Sequence, residues 1–208
     1  MVSGVRREWA GAVELEVSVE GARVTALAYP ALTGRPQPGD RVLLNTTALD
    51  LGLGTGGYAL VIAIPDRLPP DPALPGHLVK ARYSPLQATV LGADEQGSPH
   101  HDVLRDADDI GGMPVVVADL HSALPAVLAG VFSAERPGVS RPASASPPRV
   151  VYVMQDGGAL PAWFSRTCAA LRAAPVRLST MGRGLDSDLA YFLAAAAAGR
   201  HAGRLLRR

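Results

Sequence analysis

Cysteine and lysine are nearly missing from this chain of 208 residues, each occurring once, as Cys168 and Lys80. A lone cysteine excludes an internal disulfide and any site built from several thiolates. Positive charge is not missing with the lysines: Lys and Arg together number 20 against 19 Asp and Glu, for a formal net charge of +1. Arginine carries nearly all of it, a skew that matches GC-rich coding. Balanced charge makes nucleic acid an unexpected partner for the body of the protein. Long apolar runs are also lacking. No window reaches ~18 apolar residues free of Pro, Gly or charge, and Met1–Val17 has no apolar core of signal-peptide type, so the expectation is a cytoplasmic protein without a membrane partner. The nucleophile elbow G-x-S-x-G, the phosphate-binding P-loop and the zinc motif H-E-x-x-H are absent.

What is present suits a packed core. Apolar residues make up 48% of the chain, which also carries 22 Gly and 18 Pro. At roughly 150 residues per domain the length predicts one or two units. From residue 10 to about 93 the pattern has period two. Val13, Leu15, Val17 and Val19 alternate with Glu14, Glu16, Ser18 and Glu20, and Val24 and Ala26 continue the theme. Glu20-Gly21 and Pro38-Gly39-Asp40 supply turns, Tyr58–Ile64 reads as a strand stopped by Pro65, and one or two more strands fit between Leu78 and Leu91. Residues 1–93 are therefore expected to form a small antiparallel β-barrel or sandwich.

The period then changes. Residues 94–112, rich in Asp and Glu, read as a joint. Residues 113–208 read as a short parallel α/β domain of three strand-turn-helix units, βαβαβα, with right-handed crossovers. The first unit is the apolar run Met113–Ala118 and a helix over Ser122–Phe132, with Pro125 in its first turn. The second is Arg149–Met154 and a helix over Pro161–Arg172. The third is Val176–Thr180 and a helix over Asp186–Gly199. Residues 135–148, rich in Ser and Pro, read as a mobile loop, and Arg200–Arg208 as a basic tail. The overall class is α+β in two parts. Three parallel strands leave an edge or a face uncovered, which predicts a homo-oligomer covering the open edge.

Three segments, Asn45–Val61 (NTTALDLGLGTGGYALV), Asp108–Val127 (DDIGGMPVVVADLHSALPAV) and Val150–Leu171 (VVYVMQDGGALPAWFSRTCAAL), resemble signature stretches of an uncharacterised bacterial family. That family is a domain of unknown function common in actinobacteria and other Gram-positive lineages. The resemblance spans roughly residues 10 to 195. It implies a longer template with further strand-helix units, of which this chain would be a C-terminally shortened member, and it implies no mechanism.

Candidate chemistry follows from position. Gly52, Gly54 and Gly57 satisfy the spacing G-x-G-x-x-G, but a strand rather than a helix is expected after them, which removes the dinucleotide reading. Asp106, Asp108, Asp109 and Gly111 resemble a calcium loop, but Val117 stands where its bidentate Glu belongs, and no metal is expected. Ligands of open parallel sheets sit beyond the carboxyl ends of the strands. Those ends carry Asp119 and His121 as candidate catalytic residues, and Asp156, Gly157, Gly158 and Arg183 as candidate ligand-binding residues. Two glycines before a helix start allow close approach of a phosphate or carboxylate to backbone N–H groups. The expected function is binding of a small anionic ligand, phosphorylated or nucleotide-like, as an enzyme or a protein derived from one, with the cofactor unknown. The alternatives are a protein or nucleic acid interaction module and an inactive shortened relative of a longer enzyme-like family.

Overall fold

A computed structural model of the chain describes residues 1–54, 56–71, 76–81, 83–92, 94–109, 111–133, 150–153, 164–173 and 178–181. The chain is α+β and divides into two compact units, Met1–Leu91 and Gly92–Arg208. In the first, strands β1 (Val2–Trp9), β2 (Ala12–Val19), β3 (Ala22–Ala28), β4 (Leu43–Asn45) and β5 (Ala59–Ala63) form one sheet in the order β1-β2-β3-β5-β4. Short helices α1 (Pro30–Thr33) and α2 (Thr47–Asp50) fall between its later strands. Strands β6 (Leu78–Lys80) and β7 (Ala88–Val90) make a separate antiparallel ribbon in the interval where one or two strands were expected.

The β2–β3 hairpin has the turn that its sequence dictates. Val19 pairs with Ala22, leaving Glu20 and Gly21 as a two-residue loop with φ of 51° and 85°. Positive φ at both central positions matches the twist of the flanking strands, and Gly21 adopts it without steric cost. The antiparallel reading needs one correction, because β3 and β5 run parallel, Ala26 beside Ala59 and Leu27 beside Leu60. The chain from β3 to β5 passes through α1, β4 and α2, and that long connection lets β5 enter the sheet in the same direction as β3. The segment that leads into β4 is tied to the start of β1: Val2 N–H donates to the Asp40 carbonyl at 2.8 Å, and Gly39 N–H donates to the Val2 carbonyl at 2.9 Å.

One face of the sheet closes over Val2, Val13, Leu15, Val17, Ala26, Ala28, Ala59 and Val61. The alternating residues Val13, Leu15 and Val17 supply its centre, as their period of two requires. On the opposite face of β2 Glu16 and Ser18 are half-buried, and Glu14 is not solvated as its charge would suggest. Glu14 is only 4% exposed, accepts a hydrogen bond from Tyr58 Oη at 2.8 Å and faces the Arg6 guanidinium at 3.6 Å. A buried carboxylate is tolerated only with such partners.

In the second unit α3 (His101–Arg105) lies in the acidic segment. A 3-10 turn, His121–Ala123, leads into α4 (Leu124–Ser133), close to the helix expected from Ser122. Strands β8 (Val150–Val153) and β9 (Leu178–Met181) pair in parallel, with α5 (Arg166–Ala173) between them in the chain. The first expected strand is a correction: Met113–Ala118 forms none. Val115, Val116 and Val117 are exposed, Val117 by 85%. Two glycines in the left-handed region, Gly111 and Gly112, turn the chain just before it, and Pro114 has no N–H to give a ladder. Among the described residues the parallel sheet therefore has two strands, not three. The expected loop over 135–148, the third helix and the basic tail lie outside the described residues. No helix among the described residues is long and apolar enough to cross a membrane.

A histidine held between a serine and a tyrosine

Packing in the second unit sets one polar cluster. Leu124 and Leu128, a turn apart on α4, are buried with Cys168 of α5, and Phe132, Val150, Tyr152 and Leu171 pack against them. His121 lies three residues before Leu124, on the same helical face. Tyr152 stands on β8, and Ser165 is the residue immediately before α5. The apolar contacts thus bring three polar side chains from three separate elements together.

The imidazole of His121 is engaged on both sides. Nδ1 lies 2.8 Å from Tyr152 Oη, and Nε2 lies 2.6 Å from Ser165 Oγ. The His121 and Tyr152 rings are 5.7 Å apart and tilted by 43°. Ser165 is 5% exposed, and its Oγ also accepts the backbone N–H of Cys168 at 3.0 Å. That bond is an N-cap, satisfying one of the amides that every helix start leaves without an intrahelical partner. Burial lowers the pKa of His121 and raises that of Tyr152, where the nearby Cys168 thiol adds to the rise. The imidazole is thereby kept neutral, with one nitrogen a donor and the other an acceptor.

Of the residues anticipated from sequence, His121 is in this cluster. Asp119 is exposed, and the two ring nitrogens of His121 meet Tyr152 and Ser165 rather than its carboxylate. Asp156, Gly157, Gly158 and Arg183 lie outside the described residues. Ser165 and Tyr152 were not anticipated. A helix read from Pro161 placed Ser165 in its interior, whereas α5 begins at Arg166 and makes Ser165 its cap. A serine directly before a helical apolar pattern, an ordinary N-cap residue, was the available signal. Tyr152 had none, since tyrosine suits a buried strand for its ring alone. Among the described residues no group of three or more His, Cys, Asp or Glu could hold a metal ion.

No curated protein and no solved structure matches the chain. The sequence profile of a family described as proteins of unknown function, DUF3866, matches residues 25–176, which include His121, Tyr152 and Ser165. That match covers well over half of the 208 residues, and the chain belongs to this family.

Proposed function

We propose that the second unit binds a small anionic ligand, phosphorylated or nucleotide-like, beside the carboxyl end of β8. The observation that supports this reading is the junction of His121 with Ser165, where the starts of two helical segments meet next to a parallel strand pair. Helix starts present N–H groups and a partial positive charge, which favours an anion. The neutral imidazole, hydrogen-bonded at both nitrogens, holds the two helix starts beside each other. In this reading the backbone N–H groups of Gly157 and Gly158, which follow β8 in the chain, and Arg183, which follows β9, complete the anion contacts, while Asp156 accepts from hydroxyl groups of the ligand. Asp119, two residues before His121, accepts from hydroxyl groups of the ligand.

The test is thermal unfolding of the whole chain with inorganic phosphate, sugar phosphates and nucleotides. A ligand at a hundred times its dissociation constant stabilises the folded state by about 2.7 kcal/mol, and one class should reach that value. His121→Ala and Asp156→Asn are expected to abolish the shift. A melt that no member of the panel moves would overturn the reading.

A second reading is self-association. The exposed run Val115–Val117 with Leu120 joins no sheet among the described residues, and a second copy offers the same run. Sedimentation across a hundredfold range of concentration should show a dimer that Val116→Asp dissociates. A monomer throughout would remove this reading.

A further inference from the structure

We propose that Ser165 is a nucleophile for acyl transfer, with His121 as its general base and Tyr152 as the residue that fixes the imidazole. The inference rests on the reading that this end of β8 receives a ligand, and its substrate class is a carboxylic ester of an anionic molecule. Three side chains in a row, hydroxyl, imidazole and orienting group, are the arrangement that activates a weak nucleophile. Here the distances are 2.6 Å from Ser165 Oγ to Nε2 and 2.8 Å from Nδ1 to Tyr152 Oη.

Oγ accepts the Cys168 N–H with one lone pair and keeps its proton for a second partner. In the tautomer that the proposal requires, Oγ donates to Nε2, and Nδ1 carries the ring proton and donates it to the phenol oxygen. A tyrosine takes the place of the acid found in the usual triad, so it orients the ring without adding a charge. The Cys168 N–H also favours a developing negative charge on Oγ.

The reaction balances within these groups and water. Ser165 Oγ bonds to the ester carbonyl carbon as its proton passes to Nε2. The N–H groups of Arg166 and Thr167, at the start of α5, receive the oxyanion; among the described residues neither has a partner. Collapse breaks the bond from carbonyl carbon to alcohol oxygen, and the imidazolium protonates the departing alkoxide. Water, deprotonated by the same nitrogen, then releases the acid and restores Ser165. A serine whose whole role is to cap α5 needs neither the imidazole nor the tyrosine.

The probe is a fluorophosphonate, which a serine activated in this way attacks at phosphorus with loss of fluoride. Incubation of the full chain, followed by intact-mass and peptide analysis, should show one adduct, on Ser165. His121→Ala should slow labelling by at least about a hundredfold, the low end of general-base contributions. Tyr152→Phe should slow it less than His121→Ala does, and nitrogen NMR of His121 should show the ring proton leaving Nδ1, a change that loss of packing alone does not produce. Site assignment in the unsubstituted chain needs no variant to fold. No adduct, an adduct elsewhere, or undiminished labelling of His121→Ala overturns the proposal. If phosphates or nucleotides shift the melt while no adduct forms, the nucleophile falls and ligand binding stands. If the adduct forms while no anion shifts the melt, the anionic class falls and the nucleophile stands.

Discussion

Replacement of Leu15 by alanine is expected to destabilise the first unit by about 2–5 kcal/mol, a large part of the stability of a domain this size. Leu15 lies at the centre of β2, which pairs on both sides, with Val5 of β1 and with Ala26 of β3. Its side chain is among the largest of those fully buried. Ala26, Ala28 and Ala59 line the same core and have no length with which to fill a void. The cavity therefore persists, and the cost falls toward the upper part of the range. Denaturant melts should show a lower midpoint with an unchanged slope. Val5→Ala on β1, a strand with one partner, removes a side chain that is 40% exposed and should cost about 0.5 kcal/mol or less. Equal losses from the two substitutions would mean that the core does not lie where the sheet places it.

The same strands explain how far the fold could be read in advance. Strands β2 and β3 announce themselves, since one of their faces is apolar at every second residue and their turn has a glycine where positive φ is required. Strand β1 gives no such signal. Most of its residues are exposed or half-buried, its register shifts between Val2 and Gly4 and again between Val5 and Arg7, and it lies at an edge. An edge strand is held by one ladder and by few apolar contacts, so composition alone does not mark it. Met113–Ala118 is the opposite case, a run with strand propensity that finds no ladder. Propensity describes what a segment tolerates, while a strand also needs a neighbour.

The polar cluster was half legible for a related reason. His121 stands where a polar residue meets a helix start, a position visible in sequence. Its partners come from residues 31 and 44 positions later in the chain, joined to it by the packing of α4 and α5 with β8. No local pattern encodes that meeting. What the sequence does carry is the set of stretches that hold the three residues, Asp108–Val127 and Val150–Leu171, both rich in the signals that marked the family resemblance.

Ser165→Ala is expected to produce the largest loss in the second unit, because one hydroxyl serves two partners there. Removal of a serine cap costs about 1 kcal/mol. A ring nitrogen left without its partner at a half-buried position costs about 1–3 kcal/mol more. The two groups share one atom, so the losses arrive together. Acid should add to them in a way that identifies the histidine. Burial lowers the pKa of His121 from its ordinary value of 6.5, so the unfolded chain takes up a proton before the folded unit does. The stabilisation is full above pH 6.5 and is lost as pH falls through the folded value. Melts between pH 7.5 and 5.5 should show this loss in the unsubstituted chain and in Ser165→Ala, since its cause is burial of the ring. His121→Asn removes the titrating group, and its profile over the same interval should be flatter. If that variant keeps the same acid slope, the proton enters elsewhere, and His121 is not the buried neutral imidazole on which both the anion site and the nucleophile depend.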